Sequence, residues 1–474
     1  MAPQALHPVT TVLEQCHVSP SPAPAAGQPR ALPLTFFDLA FWGLPPVQRL
    51  FFYANADLLE VSDFTLVELP KLKESLAAAL HHFYPLAGKL TCQLAEVGVA
   101  PEPEVVFAHG DSVPLTVAVS GDDLEYLAGD HARNTTRLHP LLPALRRHRG
   151  SGSRSQEQDV LAVQVTVFPR AGICIGTTLH HAVADGSSYA HFLSTWAAIH
   201  RLGKKAPPAP LPLYDRAVVR DDAGLRDAFL RDHVALAAAG DDDGGLDGWD
   251  LSRRCLPGDV VVATFRFTDK QLRALGRHVE SETSAPCSPY ALACGAAWAG
   301  IVHARARHGD DASSSGAPFG FVTGCKPRAN PPIPASYFGN CLGLCRVDEA
   351  ASNERGLTAA AASAAIWRVI EELTEEGRAL RDARGWVRSV REYASARAVT
   401  VAGSPKLRMY AAADFGGAWG RPRKVEIASV ERTGALALAE SGRDGDGGIE
   451  VGVALPRAEM EAFRAFYLDL FDRL

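Results

Sequence analysis

The sequence predicts an α/β fold with mixed sheets, organised as two large domains, and three observations lead there. The 474 residues exceed what one core usually holds, since domains run to about 100–200 residues. Strand-like and helix-like stretches are interleaved in both halves of the chain. No internal repeat and no regular strand and helix alternation marks a solenoid or a doubly wound sheet. The composition, 47% hydrophobic and 22% charged, fits a globular chain and excludes a collagen-like, coiled-coil or disordered one.

Element by element, Thr10 to Val18 reads as a strand, followed by a Pro/Ala-rich surface loop up to Pro33. Leu69, Leu72, Leu76, Leu80 and Phe83 recur at helical spacing, with Pro70 suited to a first turn and Pro85 as the stop. Leu161, Val163, Val165 and Val167 alternate with Ala162, Gln164 and Thr166, a strand pattern that ends at the turn Pro169-Arg170-Ala171-Gly172. A second strand, Ile173 to Leu179, runs into His180 and His181. Tyr189, Phe192, Leu193, Trp196 and Ile199 then make Ser187 to Arg201 an amphipathic helix.

Residues 203 to 219, with Lys204, Lys205 and four prolines, predict a crossover between an N-terminal domain at 1–202 and a C-terminal domain at 220–474. Arg149 to Asp159, Gly240 to Asp250 and Gly309 to Gly316 read as exposed loops. A long helical region is expected from about Leu357 to Arg381, with strands near Val425 to Val430, Ala435 to Glu440 and Ile449 to Leu455. The last helix opens with Pro456 and aligns Met460, Phe463, Tyr467, Leu470 and Leu474 on one stripe.

Charge and motifs remove several function classes. With 48 Lys and Arg against 54 Asp and Glu the net charge is −6, so no broad basic face is offered to nucleic acid. Nine cysteines form no Cys-x-x-Cys pair and no zinc spacing, and read as reduced thiols. The first residues lack the pattern of a signal peptide, and no apolar run reaches the roughly 18 residues of a membrane span. The expected compartment is the cytosol. There is no Gly-x-Ser-x-Gly, His-Glu-x-x-His, P-loop or dinucleotide-binding signature, which removes the main support for a serine hydrolase, zincin, P-loop NTPase or dehydrogenase.

What remains is His181-Ala182-Val183-Ala184-Asp185-Gly186, at the end of a strand and before a helix. Among 16 histidines, roughly one His-x-x-x-Asp arises by chance, so its context gives the motif its weight. A strand end followed by a tight turn aims a side chain into a cleft, and imidazole both takes and returns a proton near neutrality. Core or surface imidazoles remain an open alternative for His180 and His181, as does a plain N-cap for Asp185. Two further constellations are Tyr337-Phe338-Gly339-Asn340-Cys341, after a proline-rich stretch, and Asp414-Phe415-Gly416-Gly417-Ala418-Trp419-Gly420. Each alone reads equally as a glycine turn with packed aromatics.

Taken in this order and separation, these motifs resemble the plant BAHD acyltransferases, which use coenzyme A thioesters. Leu34 to Asp38, Pro45 to Tyr53, Phe83 to Gly88 and Pro331 to Asn340 extend the resemblance over nearly the whole chain. Tyr337 to Cys341 further resembles the branch that acylates anthocyanin and other phenolic glucosides, often with malonyl-CoA.

The resemblance implies a two-domain chloramphenicol-acetyltransferase-like fold with an active-site channel between the domains. His181 then matches the general base, Asp185 an arginine-paired residue that fixes the His loop, and Asp414 a structural carboxylate with a basic partner. Gly186, Tyr337, Gly339 and Asn340 are motif residues. Trp419 and the Gly403-Ser404 region are candidate oxyanion donors, and Ser288, Lys326, Arg328 and Arg421 candidate coenzyme A contacts.

Gly417-Ala418 lengthens the usual Asp-Phe-Gly-Trp-Gly loop by two residues. Gly324 and Lys326 stand where many relatives carry Asp and Arg, which implies a weaker ion pair. The activity so implied is malonyl transfer from malonyl-CoA to a sugar hydroxyl of a phenolic or flavonoid glucoside by a monomer, without metal, bound cofactor, membrane or nucleic acid. The alternatives are a hydroxycinnamoyl-CoA transferase acting on a phenolic amine or alcohol, and a non-catalytic binding protein of the same fold.

Overall fold

A computed structural model describes residues 9–22, 29–54, 60–93, 102–149, 155–203, 210–238, 246, 248–308, 317–348, 352–353, 356–375, 377–417, 419–442 and 447–474. Its first sheet has the strand order Thr10–Val18, Val113–Ser120, Leu161–Phe168, Gly172–Leu179, Val47–Ala54 and Lys424–Ile427. Leu161–Phe168 runs parallel to Val113–Ser120, whereas its hairpin partner Gly172–Leu179 is antiparallel. The second sheet is ordered Thr400–Gly403, Ala435–Glu440, Ile449–Pro456, Val260–Phe267 and Arg133–Asn134. A further hairpin, Phe319–Gly324 with Leu342–Val347, joins this sheet where Gly320 donates its N–H to the carbonyl of Val399 at 2.9 Å.

All eight residues of Leu161–Phe168 and all eight of Gly172–Leu179 are buried, so the alternation in the sequence does not mark a wet face. The face carrying Gln164, Thr166 and Thr178 is covered by the segment around Leu138 and Leu141. Gln164 Nε2 donates to the carbonyl of Pro140 at 2.8 Å and Thr178 Oγ1 to that of Pro143 at 2.5 Å, which satisfies polar atoms that burial would otherwise penalise. The strand therefore stays rigid up to Leu179, directly before the two histidines.

Other expectations need correction. Residues 155–159 form a strand paired with Lys89–Gln93 and with Arg147–Arg149, where an exposed loop was expected. The helix expected over 357–381 is Ala359–Glu372; Gly377, at φ +72°, turns the chain before a short 3₁₀ turn at Arg378–Leu380. The strand expected at 425–430 is Lys424–Ile427, followed by a helical turn. The last helix is Arg457–Asp472; Met460 and Phe463 are buried in it, but Leu474 lies beyond its end and is exposed. The described part of the crossover is anchored: Leu213 bridges Tyr337, and Arg216 donates to Tyr337 Oη and to the carbonyl of Phe338, both at 2.6 Å. The loop at 309–316 and most of that at 240–250 lie outside the described residues.

The two halves exchange a strand. Lys424–Ile427 pairs through its backbone with Val47–Ala54 in the first sheet, yet its side chains bind the second. Lys424 Nζ reaches Thr264 Oγ1 at 2.6 Å and Asp130 Oδ1 at 2.8 Å, and Glu426 Oε2 accepts from Arg133 Nη2 at 2.7 Å. The Arg133 and Glu426 side chains are 0% and 1% exposed, and Arg133 also donates to the carbonyls of Leu127 and His131. Removing one partner of such a pair strands a buried charge, at a cost of about 3–5 kcal/mol. Glu426→Ala should lower the unfolding free energy by that amount in a denaturant titration. A loss of under about 1 kcal/mol would show the pair to be a minor contact.

Candidate active site

His181 follows the strand Gly172–Leu179, and Gly186 opens the helix Gly186–Leu202. Asp185 caps that helix, its Oδ1 accepting from the Ser188 N–H at 2.8 Å. The N-cap reading and the motif reading hold together, because Oδ2 accepts from the Cys341 N–H at 3.2 Å. Ser188 Oγ donates to the Gly339 carbonyl at 2.9 Å. Asp185 thus ties the His turn to the Tyr337–Cys341 segment through backbone donors. It has no arginine partner among the described residues; burial raises its pKa, and Lys326 is the cation that opposes this. At Gly186 a Cβ would meet the tip of the Leu407 side chain, Cδ1 at 2.6 Å, which would have to shift. Gly339 has φ +153°, and its Cβ would meet Arg216 Nη1 at 2.6 Å.

A second brace was not read from the sequence. Asp38 is fully buried; its Oδ2 accepts from Thr35 N–H and Oγ1–H at 2.9 and 2.7 Å. Its Oδ1 accepts from the backbone N–H and Nδ2 of Asn340 at 2.8 and 3.1 Å. Asn340 Nδ2 also donates to the carbonyl of His181 at 3.0 Å. The imidazole itself stacks on Phe41, with centroids 4.4 Å apart and planes within 7°.

The ring edge of His181 lines a cavity of about 380 Å³, within the size range of ligand sites. Its Nδ1 is enclosed without a hydrogen-bond partner. Burial pushes the His181 pKa down to about 4, helped by the field of Arg49; the residue's own carbonyl and the Asn340 side chain act the other way. His181 is therefore neutral at pH 7 and able to accept a proton. The cavity walls bring in Phe41, Arg49, Phe321, Arg346, Tyr393 and the Gly403-Ser404 pair.

The other expected residues lie elsewhere. Trp419 does not line the cavity; it is buried in an aromatic cluster with Tyr53, Phe64, His200 and Phe415. The lengthened loop closes on itself, Phe415 N–H donating to the Gly420 carbonyl and Gly420 N–H to that of Gly416, both at 3.0 Å. Asp414 Oδ2 lies 3.4 Å from Arg201 Nη1 and 3.8 Å from Arg421 Nε, so its basic partners are found, on the side of the helix end. Ala418 lies outside the described residues. Lys326 donates to the carbonyls of Tyr337 and Ala335 at 2.7 and 3.1 Å, and Arg328 to that of Gly324 at 2.7 Å. Ser288 caps the helix Pro289–Arg307. None of these four, Arg421 included, lines the cavity.

With this geometry in place, comparison with known proteins is informative. Residues 8–467 match the model of the Transferase family. The chain is 32% identical to malonyl-coenzyme:anthocyanin 5-O-glucoside-6'''-O-malonyltransferase of Salvia splendens, over 97% of this chain and 95% of the relative. It is 33% identical to phenolic glucoside malonyltransferase 1 of Arabidopsis thaliana, over 95% of each. Coumaroyl-CoA:anthocyanidin 3-O-glucoside-6''-O-coumaroyltransferase 2 of Arabidopsis thaliana is similar at 32% identity, over 95% of each. Among solved structures, vinorine synthase superposes with a TM-score of 0.66 at 20% identity, over 98% of each chain.

The chain belongs to the Transferase family of BAHD acyltransferases. It is an acyl-CoA-dependent acyltransferase with the chloramphenicol-acetyltransferase-like fold, α/β with mixed sheets. Among the described residues no helix is long and apolar enough to cross a membrane.

The lowered pKa has consequences for pH. An imidazole acting as a base must be neutral, so with His181 in that role kcat/KM should stay high as pH falls through 6.5, declining only towards the folded value near 4. A pH profile whose acid limb is centred near 6.5 would refute the burial argument. For stability, His180 and His181 are both depressed to about 4, so the unfolded chain binds protons first. Unfolding free energy should fall as pH drops from about 6.5 to 4.

Proposed function

We propose that this protein transfers a malonyl group from malonyl-CoA to a sugar hydroxyl of a phenolic or flavonoid glucoside, in the cytoplasm and as a monomer. The observation that carries the chemistry is a neutral, stacked imidazole at the wall of a ligand-sized cavity. The names of the relatives support the substrate classes.

In this reading His181 Nε2 takes the hydroxyl proton as the sugar oxygen attacks the thioester carbonyl. The tetrahedral oxyanion collapses with cleavage of the carbon–sulfur bond, and the imidazolium returns its proton to the departing coenzyme A sulfur. Both substrates are bound together, so no acyl-enzyme forms. Phe41 and the Asn340 contact hold the ring and its backbone in place, which supplies orientation. Gly403 and Ser404, both at the cavity wall, are better placed than Trp419 to donate to the oxyanion. Asp185 and Asp414 act as positioning residues.

A second reading, hydroxycinnamoyl transfer, is favoured by the coumaroyltransferase relative at equal identity and by the aromatic lining of the cavity. The test is mass spectrometry of the purified protein with malonyl-, acetyl-, coumaroyl- and caffeoyl-CoA and a panel of flavonoid glucosides. A product heavier by one malonyl group supports the first reading and one heavier by a coumaroyl or caffeoyl group the second. No product from folded protein argues against both. His181→Ala should lower turnover by about 10²–10⁴-fold with an unchanged circular dichroism spectrum. Near-normal turnover would remove His181 from the role of base.

A further inference from the structure

The least expected group in the cavity is a cation. Arg49 lies on the strand Val47–Ala54, is 6% exposed and lines the cavity together with His181. Its Nε is buried without an acceptor, and among the described residues no carboxylate pairs with it. Its guanidinium rests over the neutral ring of Tyr189, 4.7 Å from the centroid, and burial pushes its pKa down.

The other cations near the cavity and the seam differ from it. Arg346, also in the cavity wall, is neutralised by Asp348 and Glu392, each at 3.1 Å. Arg133 and Lys424 are paired with Glu426 and Asp130. A buried, unpaired charge is costly, so a cavity that keeps one beside its general base is built to receive an anion. Arg49 is close enough to His181 for its field to act on the imidazole.

Resting on the malonyl reading above, the geometry points to Arg49 as the subsite for the free carboxylate of a dicarboxylic acyl group on coenzyme A. In a malonyl thioester one methylene separates that carboxylate from the reacting carbonyl. A carboxylate held by the guanidinium fork thereby sets the carbonyl carbon beside His181 Nε2. Acetyl and hydroxycinnamoyl groups lack the anion and leave the buried charge unanswered, so the same residue selects among donors. The phosphates of coenzyme A lie at the far end of its pantetheine arm, away from the reacting carbonyl.

The test uses the full chain with Arg49→Met and Arg49→Lys, comparing malonyl-CoA with acetyl-CoA by kcat/KM and by calorimetric Kd. The ratio of malonyl to acetyl kcat/KM should fall by about 10- to 100-fold in Arg49→Met, and by less in Arg49→Lys, which keeps the charge but loses the fork. The Tm of Arg49→Met should equal or exceed that of the wild type, because an unpaired buried charge is removed.

A ratio unchanged in both variants overturns the assignment. So does an equal loss with both donors, which would make Arg49 an oxyanion donor. If Arg49→Met fails to fold, Arg49→Lys decides by the same ratio. The two proposals fail separately. Wild type that transfers malonyl while Arg49→Lys and Arg49→Met keep its selectivity removes only the subsite. Wild type that acylates no glucoside, yet binds malonyl-CoA more tightly than acetyl-CoA in an Arg49-dependent way, keeps the subsite and removes only the acceptor. Wild type with no preference for malonyl-CoA in binding or transfer removes both.

Discussion

The buried carboxylate of Asp38 is the constraint on which the site is hung. It accepts four hydrogen bonds, two from Thr35 and two from Asn340, and Asn340 in turn holds the carbonyl of His181. Residues about 140 and 300 positions apart in the chain, one in a short helix and two in turns beyond strands, are fixed at one point. A carboxylate so enclosed is tolerated only because each oxygen is met by donors. The same contacts set where His181 stands relative to the cavity.

Around this point the His-x-x-x-Asp motif divides its labour. His181 presents an imidazole whose burial keeps it neutral, while Asp185 never faces it as a partner; it caps a helix and receives Cys341 N–H from across the seam. Neutrality of the base and rigidity of its turn therefore have different sources. The first comes from desolvation against Phe41 and the cavity wall, the second from backbone donors. The Asp414 loop contributes at a greater remove, through Arg201 at the end of the helix whose other end Asp185 caps.

What could be read in the sequence was what local periodicity encodes. The strand at 161–168, the turn at Gly172, the helix after Asp185 and the position of His181 at a strand end all follow from nearby residues. What could not be read depended on residues far apart in the chain. Alternation at 161–167 marks a strand but not what covers its polar residues, which is the segment around Leu141. Arg49 lay unremarked in the stretch Pro45 to Tyr53, and only the fold shows it buried, with no carboxylate paired to it among the described residues. Trp419 resembled a site residue by motif, yet the lengthened loop packs it among aromatics away from the cavity. Asp38 carried no signal beyond its presence in a resembling stretch, and Arg216 and Ser188 carried none at all.

The strand Lys424–Ile427 also imposes an order on synthesis. It completes the edge of a sheet whose other five strands are all made before residue 180. While a ribosome works through the following 240 or so codons, the strand Val47–Ala54 has an open hydrogen-bonding edge and Arg133 has no carboxylate to meet. The emerging first half is thus a sticky, incomplete object for most of translation. Its closure awaits the arrival of a segment more than 240 residues further along the chain.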